Sequence, residues 1–274
     1  MSFDPFDPRL ARLEPEFSSS HLAHMREWLA TNKREFRAEQ RGGSGGGELE
    51  LAIMDVIGGG WFWEGITAKK VKRALDAAPN VGLIRVLINS PGGVVWDGVA
   101  IHALLKRHRA RVEIEVLGEA ASAASVVAMA GDRISVHEGA FFMVHEAWTV
   151  AGGKAAELRE TADLLDKIND SMVDLYTRRT GKPREQIVEL VRAETWMSAQ
   201  DAFARGFADE VIPGKAPEKA PDKEVGRAPQ DRARGRASAA ASPLRQLLSA
   251  GALGRENRYS NRPTLGAFMR KPWT

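Results

Sequence analysis

The chain has 274 residues and a formal net charge of +3. It contains no cysteine, which excludes disulfides and thiolate catalysis. No apolar run approaches the length that spans a bilayer, and residues 1–17 lack the apolar core of a signal peptide. The sequence therefore predicts a soluble, cytoplasmic protein with no membrane partner.

Composition and charge divide the chain into three parts. Residues 1–47 are predicted to be an accessory segment, in which a helix at 21–40 precedes a glycine-rich hinge. That helix could pack on the folded domain, residues 48–212, or on a partner. Residues 213–274 contain thirteen Lys or Arg and only five Asp or Glu, which leaves a charge of −5 on the rest of the chain. This basic composition is typical of a disordered tail, and we expect no specific nucleic-acid binding.

Segments typical of strands and of helices alternate through the folded domain. Short apolar runs indicate the strands, and apolar residues at helical spacing indicate the helices. The alternation predicts an α/β fold with right-handed crossovers. The predicted strands are 48–57, 81–89, 111–117, 134–136 and 141–145, and the predicted helices are 66–78 (with Thr67 as its N-cap), 99–106, 126–130, 154–180, 184–191 and 198–205.

The predicted fold is arranged around residues 118–127. A strand leads into small residues that surround Ser122, and an apolar helix follows. This order places a side chain at a helix N-terminus, where free N–H groups and the helix dipole favour an anion. A hydroxyl there can act as a nucleophile whose tetrahedral intermediate is stabilised by neighbouring amides. The competing interpretation is a small-residue helix start packed against the sheet.

A hydrolytic serine also needs a base and a group that orients the base. His145 ends an apolar strand and is the candidate base, whereas its rival His137 lies in a turn between two strands. Glu194 precedes a helix cap in a stretch otherwise poor in charge, and it is the candidate acid. Taken singly, residues of these types are more often structural or solvent-exposed than catalytic.

The loop at residues 89–93 reads Asn-Ser-Pro-Gly-Gly. Consecutive glycines after a strand permit positive φ and allow main-chain N–H groups to approach a ligand. A phosphate-binding loop is the alternative interpretation, but neither of the common glycine-rich nucleotide motifs is present. Nucleotide binding is therefore weakly supported. We expect no cofactor and no metal.

Four motifs follow one another in a characteristic order. They are Asn-Ser-Pro-Gly-Gly, Gly-x-Ala-Ala-Ser, Met-Val-His and Glu-Thr-Trp-Met-Ser-Ala-x-x-Ala. Over residues 48–212 this order resembles the Clp-type (caseinolytic) serine peptidases, ClpP, and it looks closest to the ClpP-like head maturation (prohead) proteases of tailed phages. The resemblance implies a crotonase-like α/β spiral of βαβ units with a protruding handle helix at 154–180. It also implies homo-oligomeric rings, usually heptameric and often stacked.

The resemblance also implies roles for individual residues. Ser122 would be the nucleophile, His145 the general base and Glu194 the acid, at a position where the cellular peptidases usually have Asp. Gly93 and Ala123 would supply the oxyanion-hole amides. A strand at 149–153 would pair with an extended substrate. The implied substrate-binding residues are Gly92, Thr149, Val150, Gly152 and Gly153.

Several functions remain open at this point. The first hypothesis is an ATP-independent endopeptidase that cleaves capsid or scaffold protein, in the host cytoplasm or inside the procapsid. The second is a cellular proteolytic subunit that works with an ATP-dependent unfoldase; the basic tail favours the first. Two other classes are a crotonase-fold acyl-CoA enzyme and an inactive assembly scaffold. The Ser122–His145 pair favours a peptidase over both.

Overall fold

A mixed β-sheet of eight strands is the centre of the structure. The computed structural model describes residues 20–42, 47–59 and 65–214, which lie in one compact unit, Met1–Pro217. The strands are β1 (Glu35–Arg41), β2 (Glu48–Met54), β3 (Leu83–Ser90), β4 (Arg111–Ala121), β5 (Arg133–His137), β6 (Phe141–Val144), β7 (Thr195–Ser198) and β8 (Glu210–Ile212). The helices are α1 (Ser20–Thr31), α2 (Ala68–Ala77), α3 (Val95–Lys106), α4 (Ala123–Ala128), α5 (Ala155–Thr180), α6 (Arg184–Arg192) and α7 (Ala199–Ala204).

The strand order is β1-β2-β3-β4-β5-β8, and β6 branches from β4 to pair with β7. β1 and β7 pair antiparallel with their neighbours, whereas the other pairs are parallel. Neighbouring parallel strands need long crossovers, and α2 and α3 supply two of them. The α/β fold predicted from the alternation of segments is confirmed.

The core lies between the sheet and the helices that cross it. Helix α2 begins where its sequence predicts, because the Thr67 hydroxyl accepts a hydrogen bond from the Lys70 N–H at 3.3 Å. The apolar faces of α2 and α3 then pack on alternate residues of β3. The side chains that fill this layer are Val71, Leu75, Ile84, Val86, Ile88, Ile101 and Leu105.

Strand β4 is paired with β3 as far as Ala120 and with β6 as far as Ala121, the residue that precedes Ser122. β3 pairs along one side of it. On the other side, residues 113–116 pair with β5 and residues 119–121 pair with β6. The last residues of β4 are therefore held in the interior of the sheet, and they set the position of the turn that follows.

Helix α5 is buried only near its C-terminal end, where Met172, Val173 and Tyr176 enter the core. Its first half is exposed and carries the exposed apolar side chains Leu158 and Leu164. The helix thus protrudes from the sheet as predicted. In the part of the chain that the structure describes, no helix is both long and apolar enough to cross a bilayer.

The structure corrects three predictions of secondary structure. The predicted helix at 21–40 ends at Thr31, and β1 follows it. Residues 149–153 contain no strand in this structure. The short strands β7 and β8 have no counterpart among the predicted elements. Most of the predicted glycine hinge and of the basic tail lies outside the described residues.

The strand β1 forms through its pairing with β2, against the local helix preference of its residues. Glu, Arg, Ala and Gln favour helix in isolation. In the structure, seven residues of β1 pair with β2, and Arg37 and Arg41 place guanidinium nitrogens 3.0 Å and 3.4 Å from Glu50 Oε1. The Glu50 side chain is only 9% exposed, so these contacts neutralise an otherwise buried charge.

Candidate active site

Ser122 occupies a strained turn between β4 and α4. Its φ is 52° and its ψ is −122°, a backbone conformation that residues other than glycine adopt at a cost of about 1–3 kcal/mol. The Ser122 N–H donates to the Met143 carbonyl at 3.0 Å. The Ser122 carbonyl accepts from the N–H and the hydroxyl of Ser125, at 2.9 Å and 2.6 Å. Backbone bonds on both sides therefore hold the strained residue in place.

His145 follows β6 and faces Ser122. Its Nε2 lies 2.8 Å from Ser122 Oγ, which is hydrogen-bond distance. The side chain of His145 is 7% exposed. Burial lowers the pKa of His145, and the negative charge of Glu194 acts in the opposite direction. A neutral imidazole at this position can accept the serine proton, so the pair has the geometry of a nucleophile and its base.

Glu194 is the third member of the group that the sequence predicts. It precedes β7, which pairs antiparallel with β6 and so brings it to the side of His145 away from Ser122. Its φ is 48°, and its Oε2 lies 4.0 Å from His145 Nδ1. That separation is too long for a hydrogen bond but short enough for a strong charge interaction. Glu194 thus acts on His145 through its charge in this structure.

The glycine loop lies directly against the serine turn. A Cβ on Gly92 would stand 2.7 Å from Ser122 Cβ and 2.9 Å from the Ala123 nitrogen, so only glycine allows this approach. Gly93 has a φ of 143°. The Ile57 N–H donates to the Gly92 carbonyl and the Val94 N–H donates to the Ile57 carbonyl, which fixes the loop. No backbone hydrogen bond within residues 20–42, 47–59 and 65–214 uses the Gly93 N–H.

Helix α1 covers one side of His145, a contact that the sequence does not reveal. The His21 ring packs edge-on against the His145 ring with 4.5 Å between centroids, and His21 is 1% exposed. Within the described residues neither His21 nitrogen has a hydrogen-bond partner. Burial and the two neighbouring histidines, His145 and His24, lower the pKa of His21 to about 3. His21 is therefore neutral, and it packs beside His145.

One turn further along, α1 is fixed to the sheet by His24. Its Nε2 lies 2.8 Å from Oε2 of the buried Glu119, and its ring packs edge-on against Trp196 at 4.9 Å. Burial raises the pKa of Glu119, although His24 opposes the shift. Met25 and Trp28 complete the buried face of the helix. The spacing of these residues indicates an amphipathic helix, but it carries no information on the surface that the helix covers.

Two nearby residues of the same types, Ser125 and His137, differ from Ser122 and His145 in their surroundings. Ser125 is completely buried, and its hydroxyl contacts the Ser122 carbonyl and the Tyr176 hydroxyl, so it is not placed to be the nucleophile. His137 Nε2 contacts Glu115 Oε1 at 2.6 Å, on β4. The sequence-based choice of Ser122 and His145 is thus consistent with the geometry.

The predicted substrate-binding residues fall into two groups. Gly92 lies at the serine turn, as described above. Thr149, Val150, Gly152 and Gly153 lie between β6 and α5 in a largely exposed segment without regular secondary structure. The segment begins near α5, where the Ala147 N–H donates to Asn169 Oδ1 at 2.7 Å. It is therefore an accessible backbone next to the site rather than a formed strand.

The described residues contain no group of three or more His, Asp or Glu side chains arranged to hold a metal ion. The side chains at the site are those of acyl transfer: a hydroxyl, an imidazole and a carboxylate, with a glycine loop beside them.

Comparisons with known proteins show a similar fold among solved structures and identify the family from the sequence. A mutant of ClpP1 from Listeria monocytogenes has a similar fold, with a TM-score of 0.53 at 24% identity; the match covers 61% of this chain and 92% of that chain. The ATP-dependent Clp protease proteolytic subunit of Deinococcus radiodurans is 32% identical over 132 residues, which are 47% of this chain and 64% of that protein. The Clp protease family itself matches residues 68–215, more than half of the chain. The chain therefore belongs to the Clp protease family, a family of serine-type peptidases.

Proposed function

We propose that this chain is an ATP-independent serine endopeptidase that cleaves capsid or scaffold protein during phage head assembly. The observation that carries the peptidase activity is the 2.8 Å contact between His145 Nε2 and Ser122 Oγ at a strained strand–helix turn. A crotonase-fold acyl-CoA enzyme has no need of such a pair. Strain of this kind persists only where surrounding structure holds it, and it concentrates at functional residues.

The proposed reaction assigns a separate role to each group. His145 takes the proton of Ser122, and Ser122 Oγ attacks the carbonyl carbon of the substrate peptide. The N–H groups of Gly93 and Ala123 donate to the oxyanion, each contributing about 10²–10³-fold in rate. His145 then gives its proton to the leaving amine, and water hydrolyses the acyl-enzyme. Glu194 stabilises the positive charge that forms on His145.

The substrate would bind as an extended chain. Gly92 lies directly against Ser122, and its lack of a side chain keeps the loop close to the turn. The segment that contains Thr149, Val150, Gly152 and Gly153 has the exposed backbone that strand addition requires. In this proposal the segment becomes a strand only when the substrate pairs with it, which accounts for its lack of regular structure in the free chain.

The head-assembly role is supported by features of the sequence. The sequence of the motif at Glu194 and the basic residues 213–274 resemble those of the phage head maturation proteases. The short N-terminal loops by which the cellular enzyme engages an unfoldase are not recognisable in this sequence. We propose action in the host cytoplasm or in the procapsid interior, with a homo-oligomeric ring as the working assembly. The exposed apolar residues of α5, Leu158 and Leu164, support an interface between copies.

A second function has its own support. The relative from Deinococcus radiodurans is named as the proteolytic subunit of an ATP-dependent Clp protease. This favours a subunit that receives unfolded chains from an ATPase partner. The two functions share the same catalytic residues, and they differ in the source of the substrate and in the need for ATP.

Fluorophosphonate labelling of the full chain, read by peptide mass spectrometry, tests the catalytic claim. We expect a single labelled residue, Ser122, and no label in Ser122→Ala or in His145→Ala. The matched control is Ser171→Ala, because Ser171 is an exposed serine on α5 away from the site. Label on Ser171, or on Ser125, would show that the nucleophile is assigned wrongly. An intact oligomer without label at Ser122 would support an inactive scaffold instead.

The biological role needs a separate experiment. Purified chain is incubated with the capsid and scaffold proteins of the same phage, without ATP, and the products are analysed by mass spectrometry. Cleavage that disappears in Ser122→Ala supports the head-assembly role. Absence of cleavage, together with recovery of an ATPase that makes proteolysis ATP-dependent, would favour the second function.

A further inference from the structure

A chain of three oxygen atoms connects helix α5 to the strained serine turn. The Ser125 hydroxyl lies 2.6 Å from the Ser122 carbonyl oxygen and 2.7 Å from the Tyr176 hydroxyl. Both Ser125 and Tyr176 are buried, at 0% and 1% exposure. The hydrogen bond between Ser125 and Tyr176 joins residues 51 positions apart in the sequence.

The direction of hydrogen bonding in this chain follows from the number of protons. A carbonyl oxygen can only accept, so the single hydroxyl proton of Ser125 is donated to Ser122. Tyr176 must then donate its own proton to Ser125 Oγ. Burial raises the pKa of Tyr176, which keeps the phenol protonated and able to donate. Tyr176 therefore fixes the rotamer in which Ser125 supports the serine turn.

The Tyr176 hydroxyl is itself held in place by packing. The ring contacts the fully buried Phe207, with 5.6 Å between centroids. Tyr176 lies at the buried end of α5, beside Met172 and Val173. Its hydroxyl thus approaches Ser125 from a rigid element, and a hydrogen-bonded chain of this kind is stronger in a buried environment than in water.

Ser122 requires such support because its backbone is strained. A φ of 52° is disfavoured for serine, and relaxation of the turn would rotate Oγ away from His145. We propose that Tyr176 is a positioning residue, which acts through Ser125 to hold the Ser122 carbonyl and thereby to aim the Ser122 hydroxyl at His145. This inference rests on the proposed peptidase function. Neither Tyr176 nor Ser125 contacts the substrate in this proposal.

The test is a double-mutant cycle on Tyr176→Phe and Ser125→Ala in the full chain. Phenylalanine keeps the ring and its packing, and it removes only the hydroxyl. Saturation kinetics of fluorophosphonate labelling separate the affinity for the probe from the rate of the chemical step. We expect the chemical step to slow about tenfold in Tyr176→Phe, with unchanged probe affinity, because one buried hydrogen bond is lost. The rate in Ser125→Ala should fall at least as far.

The double variant distinguishes positioning from general packing. If Tyr176 acts through Ser125, adding Tyr176→Phe to Ser125→Ala produces no further loss of rate. The control is Ser135→Ala on β5, which also deletes a buried hydroxyl that bonds elsewhere, to Glu210 at 3.2 Å. Ser135→Ala should label at the wild-type rate even where its melting temperature falls.

The outcomes separate this inference from the proposed function. A wild-type labelling rate in Tyr176→Phe, or rate losses that multiply in the double variant, would overturn the positioning role and leave the peptidase proposal intact. A wild-type chain that neither labels nor cleaves would remove both. If Tyr176→Phe does not fold, the labelling rate of Ser125→Ala decides: a wild-type rate there refutes support through the Ser122 carbonyl.

Discussion

Acidification should release helix α1 from the catalytic site well before the sheet unfolds. The docked helix buries the neutral His21 ring, whose pKa falls from its usual 6.5 to about 3. The lowered pKa means that the docked state binds a proton less readily than the undocked state. The stability of docking is therefore complete above pH 6.5 and is lost as the pH falls from 6.5 towards 3.

The size of the effect follows from the same two values. Between pH 7 and pH 5 the undocked helix gains about 2 kcal/mol relative to the docked helix, which is about a 25-fold increase in the opening equilibrium constant. This value is insensitive to the docked pKa of His21, because both pH values lie above it. The ionisable groups around the ring are His145, His24 and, beyond His24, Glu119.

Native-state hydrogen exchange measures this opening directly. Protection factors, which correct for the intrinsic pH dependence of exchange, should fall about 25-fold in α1 between pH 7 and pH 5. Amides of β4 should keep their protection, because they open only when the central sheet unfolds. In His21→Phe the ring still packs but cannot take a proton, so most of the pH dependence of α1 should disappear. Equal protection at both pH values in the wild type, or the same decrease in His21→Phe, would refute the argument.

Three further substitutions test the site and the fold. Glu194→Gln removes the charge that raises the pKa of His145, so the acid limb of the labelling profile should move to lower pH and the plateau rate should fall about tenfold; an unmoved limb would contradict the charge role. Gly93→Ala should abolish labelling and lower the melting temperature, because the new Cβ would stand 2.1 Å from a carbonyl oxygen. Gly139→Ala is its control, with a φ of 88° and nothing within 4 Å, and it should cost about 1–3 kcal/mol of unfolding free energy through backbone strain alone and leave labelling intact. Thr67→Ala removes the N-cap of α2 and should cost about 1 kcal/mol in chemical denaturation, with no change in labelling rate; a loss below a few tenths would show that the cap is dispensable.

The predicted catalytic residues belong to motifs in which local sequence determines local geometry. The small residues around Ser122 allow the tight turn, and the glycines before Val94 allow the close approach of that loop. His145 and Glu194 reach the site because each stands at the end of a short strand, and β6 and β7 pair with each other. Motif order was therefore sufficient to select side chains that the structure brings close together.

The elements that the sequence did not reveal depend on distant partners. Residues 35–41 have the composition of a helix, and they become a strand through pairing with β2 and through the buried charge of Glu50. β7 and β8 contain four and three residues, too few for a pattern to emerge. Their strand conformation comes from β6 and β5, against which they pair.

The sequence analysis also did not predict the contact of α1 with His145, for a different reason. The positions of Met25 and Trp28 indicate that one face of the helix is buried, and the structure supports this. An amphipathic pattern indicates that one face of a helix is buried, but it does not identify the surface against which that face packs. His21 and Tyr176 were missed for the same reason, because their partners lie more than fifty residues away in the sequence.

The position of Ser122 and the covering of His145 depend on different parts of the fold, because β4 is paired on both sides. Ser122 follows a strand whose last residues hydrogen-bond to β3 on one side and β6 on the other, so displacing it requires opening the middle of the sheet. Helix α1 lies outside this pairing and contacts His145 through one ring. Local opening of α1 can therefore proceed while the turn at Ser122 keeps its position in the sheet. A change in conditions that releases α1 would expose the His145 ring without disturbing the Ser122 hydroxyl that faces it.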